Sequence, residues 1–100
     1  MRKVKTSQKE IITEIEFFPI LPKNGVICFC SFTYKNSLRI QDCAILTRPT
    51  GGYRLSFPIK KLTNGKTIQA VYPINKKLGT QIEEILLVNF EDFLLRKAKE

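Results

Sequence analysis

Apolar and polar side chains alternate as far as Tyr72, and from Leu78 onward apolar residues recur at helical spacing, so the chain reads as a run of strands followed by a helix. The first strand covers Ile11 to Phe18, β-branched and aromatic with partial alternation. Pro19 and Pro22 have no amide hydrogen to offer a ladder and end its regular pairing. Asn24-Gly25 follows, and both residues accept the positive φ of a type I′ hairpin. The second strand puts Val26, Cys28, Cys30, Phe32 and Tyr34 on one face. Its other face, Ile27, Phe29, Ser31, Thr33 and Lys35, is mixed, so Ile27 and Phe29 need cover of their own. Lys35-Asn36-Ser37 is the next turn. In the third strand, Leu38 to Thr47, strict alternation would place Asp42 inside beside Leu38 and Ile40 and turn Cys43 and Ile45 out. A bulge near Asp42 corrects that phase; the alternative is that both faces are partly covered.

Arg48-Pro49-Thr50-Gly51-Gly52 is a third turn, and a fourth strand runs through Tyr53, Leu55 and Phe57 with Arg54 and Ser56 opposite, until Pro58 stops its pairing. Asn64-Gly65 leads into a fifth strand, Thr67 to Tyr72, and Pro73 marks the change to helix. Two start signals compete there. Asn75 can cap, but Lys76 and Lys77 would oppose the positive end of the helix dipole, whereas Thr80-Gln81-Ile82-Glu83 is a capping box of the favoured charge. Regular helix is expected by Thr80 at the latest, running to about Arg96, with Leu78, Ile82, Ile85, Leu86, Phe90 and Phe93 on one side. These elements predict an α+β fold: a five-stranded antiparallel, meander-like sheet followed by one C-terminal helix, in a single domain at 11–100 after a basic flexible arm at 1–10. Such a sheet under one helix leaves a face and two edges open. With Leu87, Val88, Leu95 and Phe29 to spare, a homodimer is the simplest cover.

Composition adds little to this. A chain of 100 residues, 43% hydrophobic and 26% charged, is long enough for one core. No apolar run approaches the roughly 20 residues that span a bilayer, and the basic start has no apolar segment behind it, so a cytoplasmic protein is expected. The 3 cysteines come with no histidine. Cys28 and Cys30 lie on one face without the Cys-x-x-Cys spacing of zinc or redox sites, so no metal or cofactor is expected and the thiols read as small buried hydrophobes.

Charge changes the picture more. Lysine and arginine number 17 against 9 acids, a net +8 that favours acidic partners. Between Phe17 and Ile82 the only carboxylate is Asp42, while lysines and arginines recur throughout that span and the acids gather on the terminal helix and the first strand. The tightest basic group lies between Phe57 and Asn75, where Lys60, Lys61 and Lys66 surround Asn64-Gly65 with no acid among them. Arg54 precedes them on the neighbouring strand, with Arg48 behind it.

Several segments taken together resemble the bacterial SpoVG proteins, or septation regulators. Ile12-Thr13-Glu14-Ile15 is similar to that family's Val-Thr-Asp-Val start, followed by Pro19-Ile20, and Ile40-Gln41-Asp42 is similar to its Ile-His-Asp. Gly52-Tyr53-Arg54-Leu55-Ser56-Phe57-Pro58 resembles Gly-Leu-Phe-x-x-Met-Pro, and Lys60-Lys61-Leu62-Thr63-Asn64-Gly65 resembles a basic Arg-Lys-Thr-Pro-Asn/Asp-Gly loop. Val71-Tyr72-Pro73-Ile74-Asn75 resembles the Ala-His-Pro-Ile-Asn before the final helix. The chain departs from the pattern at Ile59, Leu62-Thr63 and Tyr72. The resemblance implies a small dimeric α+β protein that binds DNA or RNA and affects septation, sporulation or gene expression.

The expected function is therefore a nucleic-acid-binding regulator, with Lys60, Lys61 and Lys66 on a hairpin meeting phosphates, Arg54 beside them, and Gln69 and Arg54 as candidates for base contacts. The competing reading is a protein-interaction module that uses the apolar helix face and an open sheet edge. An enzyme is disfavoured: without histidine, acid–base work falls to carboxylates or lysines that lie apart, and the cysteines lack an evident base, though Arg39 or Lys35 could approach one. A membrane-surface role is disfavoured because the terminal helix carries acids on its polar face.

Overall fold

A computed structural model describes residues 11–98; the expected arm at 1–10 lies outside the described residues. Strands β1 (Ile12–Lys23), β2 (Val26–Tyr34), β3 (Leu38–Thr47) and β4 (Tyr53–Ser56) form an antiparallel sheet in chain order. Strands β5 (Ile59–Lys61) and β6 (Thr67–Gln69) form a separate two-stranded sheet, and helix α1 (Lys76–Ala98) follows. The α+β class and the order of elements agree with the sequence pattern, but the five-stranded sheet does not. Pro58 breaks the ladder after Ser56, and the residues beyond it pair forward with β6 instead of continuing on β4. The last strand ends at Gln69 rather than Tyr72, because the Ala70 amide closes on the Pro58 carbonyl at 2.8 Å and leaves β5 nothing further to pair.

Two bulges set the core face, and a register shift at Ile27 on β2 turns Val26 off the Cys28 side, where strict alternation placed it, while Ile27 packs against the core. On β3, Cys43 pairs Cys30 and Ile40 pairs Phe32, so Gln41 and Asp42 together oppose Ser31, and Asp42 takes a φ of 66°. The phase correction expected near Asp42 is thus present, and Ile40, Cys43 and Ile45 all turn inward. A second bulge on β1 was not legible in the sequence. Glu14 and Ile15 together oppose Phe32, with Glu14 at a φ of 51°, and the extra residue brings Ile12, Ile15 and Phe17 onto the core side. Asn24 and Gly25, at φ 55° and 86°, make the type I′ turn that their sequence predicts.

The prolines end the regular pairing of β1, an outer strand, as expected. After Pro19 opposite Cys28 the register breaks through Ile20, Leu21 and Pro22, although the extended strand runs on to Lys23, which pairs Val26. The other outer strand, β4, is closed by side chains. The Leu55 amide donates to Glu83 Oε2 at 2.9 Å, Arg48 Nε donates to the Tyr53 carbonyl at 3.0 Å, and Arg48 and Glu83 approach to 4.0 Å. The open sheet edge required by the interaction-module reading is therefore blunted by proline on one side and by an ion pair on the other.

Helix α1 begins before the capping box. Asn75 Oδ1 accepts the amides of Lys77 at 2.8 Å and Leu78 at 3.2 Å, so Asn75 is the cap. Two satisfied amides outweigh the dipole penalty of Lys76 and Lys77, which at exposed positions is about 0.3–1 kcal/mol. Gly79 in the next turn has a packing role: a Cβ there would come within 3.1 Å of the Pro73 ring and push the incoming segment back by a few tenths of an ångström. Ile82, Leu86 and Phe90 are buried, and Leu78, Ile85, Leu87 and Phe93 pack partly against the same core, while Val88 and Leu95 remain exposed. Phe90 is the centre of an aromatic group, 5.5 Å from Phe17 and 5.2 Å edge-on from Tyr53, so it pins the helix to both outer strands.

Candidate nucleic-acid interface

Strands β5 and β6 pack against one another and against no other strand or the helix, and all six of their residues are exposed. Their register pairs Ile59 with Gln69, Lys60 with Ile68 and Lys61 with Thr67. The tip is a three-residue loop, Thr63-Asn64-Gly65. The Gly65 amide bonds the Leu62 carbonyl at 3.0 Å, the Leu62 amide bonds the Lys66 carbonyl at 2.7 Å, and Gly65 takes the left-handed conformation at φ 88°. Asn64 Oδ1 accepts the Lys66 amide at 3.0 Å, which explains why this dipeptide suits the tip.

Cross-strand partners share a face, so the ribbon does not gather its lysines on one side. Lys60 lies with Ile68, and Lys61 lies with Thr67, Ile59 and Gln69. By the same alternation Lys66, opposite Leu62 at the tip, falls on the Lys60 side. The ribbon is cationic on both faces, with Ile59 60% and Ile68 49% exposed between the charges. Arg54 is not part of it. It sits on β4, opposite Leu46, on the sheet face turned away from the helix. Among the described residues none of Lys60, Lys61, Lys66 and Arg54 is in an ion pair.

Other arginines of the basic span are engaged. Arg48, expected beside the lysines, is tied to the β4 edge as above. Arg39 crosses the outward sheet face: it donates to the Glu14 carbonyl at 2.7 Å and Thr33 Oγ1 at 3.0 Å through Nη1, and to Glu16 Oε1 at 2.6 Å and Ser31 Oγ at 2.9 Å through Nη2. It thereby ties the β1 bulge to β3 through the Glu14 carbonyl. Its place on the outward face also removes it as an activator of the cysteines, which lie on the helix side.

All three thiols are free and fully buried. Burial pushes the Cys28 thiol up from 9.0 to about 11. A hydrogen bond with its cross-strand partner Cys43, reinforced by burial, holds the Cys30 thiol well above its ordinary value. Thiols held neutral are poor nucleophiles and poor ligands. Among the described residues no three His, Cys, Asp or Glu side chains are grouped to hold a metal ion, and no helix is long and apolar enough to cross a membrane.

One feature of the outward face escaped the sequence reading. Phe18 is 51% and Phe29 is 36% exposed, and the two are directly paired across β1 and β2. The signal was the Phe17-Phe18 doublet: adjacent residues in a strand point to opposite faces, so when Phe17 enters the core its neighbour must leave it.

Compared with known proteins, residues 11–92 match the family model for SpoVG. No curated protein matches the chain.

Proposed function

The chain belongs to the SpoVG family, and from that premise we propose that it is a nucleic-acid-binding regulator whose β5–β6 ribbon meets phosphates through Lys60, Lys61 and Lys66. The observation that carries this reading is the ribbon itself: a two-stranded arm standing clear of the folded body, with three lysines that have no acidic partner in the described residues. Lysines bind phosphate as point charges, so the ribbon supplies salt-sensitive affinity with a Kd on the order of 10⁻⁴ to 10⁻⁶ M, and base preference needs further contacts. Arg54 adds a forked cation from the sheet and Gln69 a side-chain amide from the Lys61 face of the ribbon. In a homodimer the arm would be doubled. The protein would then act in the cytoplasm by occupying DNA or RNA, in septation, sporulation or gene expression, rather than by catalysis.

The test is retention on a nucleic-acid column under a salt gradient. Lys60→Glu with Lys61→Glu is expected to abolish retention while the circular dichroism spectrum stays that of the wild type; unchanged retention overturns the ribbon assignment. A second reading rests on exposed Ile59 and Ile68, together with Val88 and Leu95 on the helix: an apolar surface for another protein chain. Salt separates the two, since phosphate contacts weaken steeply between low and moderate salt and apolar contacts hardly change.

A further inference from the structure

The sheet face turned away from the helix carries two adjacent rows of side chains with different chemistry. One row runs Phe18–Phe29–Ala44–Ser56 across all four strands, each residue paired with the next. The other runs Lys23–Val26–Leu46–Arg54, placing a cation at both ends of an apolar strip. Beyond the aromatic row lie Glu16, which accepts from Arg39 at 2.6 Å and from Ser31 at 3.3 Å, and the exposed Asp42 opposite Ser31. The aromatic row is thus exposed, bordered on one side by Lys23 and Arg54, which are in no ion pair among the described residues, and on the other by the Arg39–Glu16 pair and Asp42.

We propose that this face is a second nucleic-acid site, a platform on which Phe18 and Phe29 stack the bases of a single strand while Lys23 and Arg54 hold its phosphates. A four-stranded antiparallel sheet with a helix behind it and exposed aromatics in front is a geometry that binds splayed bases, because each ring offers a π-face at low conformational cost. A duplex cannot use it, since its bases are already stacked. Charge complementarity favours this occupant over an apolar partner such as a second copy of the chain: phosphates pair Lys23 and Arg54, whereas an apolar partner leaves both unpaired at the rim. The proposal rests on the nucleic-acid reading above but not on the ribbon.

The experiment is a fluorescence-anisotropy titration of the full chain with a labelled oligothymidylate and with a labelled DNA duplex of equal length. Phe18→Ala and Phe29→Ala are each expected to weaken oligothymidylate binding by about fivefold to a hundredfold, the range that loss of one stacked base gives, and to change duplex binding less than about twofold. Phe29→Tyr should restore binding and Phe29→Leu should not, which separates stacking from mere burial. Because the chain has 0 tryptophans, Phe29→Trp supplies a single reporter whose emission oligothymidylate should quench. Unchanged single-strand affinity in folded alanine variants overturns the platform, as does equal loss for single strand and duplex. Conversion of a dimer to a monomer by Phe18→Ala or Phe29→Ala, read by sedimentation, also overturns it and assigns the face to a second copy. If Lys60→Glu with Lys61→Glu loses duplex binding while the phenylalanine variants keep single-strand binding, only the platform falls; the reverse pattern removes only the ribbon. A wild type that binds neither probe at low salt removes both.

Discussion

The body and the ribbon of this molecule are stabilised by different physics. The four-stranded sheet and helix α1 share one core in which Phe32, Phe90, Ile45 and Leu86 are all but inaccessible to water. The ribbon buries none of its strand residues and holds its shape through its own ladder and one tight tip. An isolated hairpin is marginal in water; this one closes at its base through the Ala70 amide on the Pro58 carbonyl, and its strands pack on no other element. A segment so placed is free to carry charge and exposed isoleucine that the body could not accommodate. Substitutions in the body should therefore be read in stability, and substitutions in the ribbon in binding.

The strongest test of that division is Phe90→Ala, which empties the aromatic group joining the helix to β1 and β4. It should cost about 3–5 kcal/mol, enough to threaten the fold, measured by urea denaturation. Glu83→Ala comes next. It leaves the Leu55 amide without its acceptor and Arg48 without its counter-charge, for about 1–3 kcal/mol, and by reopening the β4 edge it should promote self-association at high concentration. Glu83→Gln, which keeps an acceptor oxygen, should lose less. Asn75→Ala removes the cap of α1 at the junction of the two regions and should cost about 1 kcal/mol, visible as a lower Tm with the ribbon's binding retained. Lys60→Glu with Lys61→Glu should move stability by less than about 0.5 kcal/mol; a larger loss would mean that the ribbon is part of the core after all.

The smallest effect at neutral pH belongs to the thiols. The folded state raises the Cys28 pKa above its ordinary 9.0, so the neutral form is favoured on folding. That contribution is complete below pH 9 and is lost as pH rises toward about 11, so stability should be flat from neutral pH to 9 and fall above it. Cys28→Ala should make the alkaline fall shallower, with a residual slope from Cys30.

Much of the body could be read directly. Period-two alternation located β2 and β4, Asn24-Gly25 located its turn, and the misfit of Asp42 pointed to a bulge or to two partly covered faces, of which the register shows the bulge. The Glu14 bulge was hidden because the partial alternation of β1 reads acceptably without it, and its support, Arg39, comes from a strand two positions away in the sheet. The site was legible in part. The lysines around Asn64-Gly65 form the ribbon as expected, but Arg54 and Arg48, close to them in sequence, stand elsewhere, one on the outward sheet face and the other on the β4 edge.

By itself, the sequence determined the α+β class, the order of strands and helix, and the location of the basic tip, since each rests on contacts between residues near in sequence or on side-chain periodicity; the family rests instead on resemblance along residues 11–92. Only the tertiary structure decided that the last two strands leave the sheet, that Asn75 rather than Thr80 starts the helix, and that Phe18 faces outward beside Phe29. Those outcomes depend on which distant residue satisfies a given amide or covers a given face, as Glu83 does for Leu55, and no local pattern in the chain encodes that pairing.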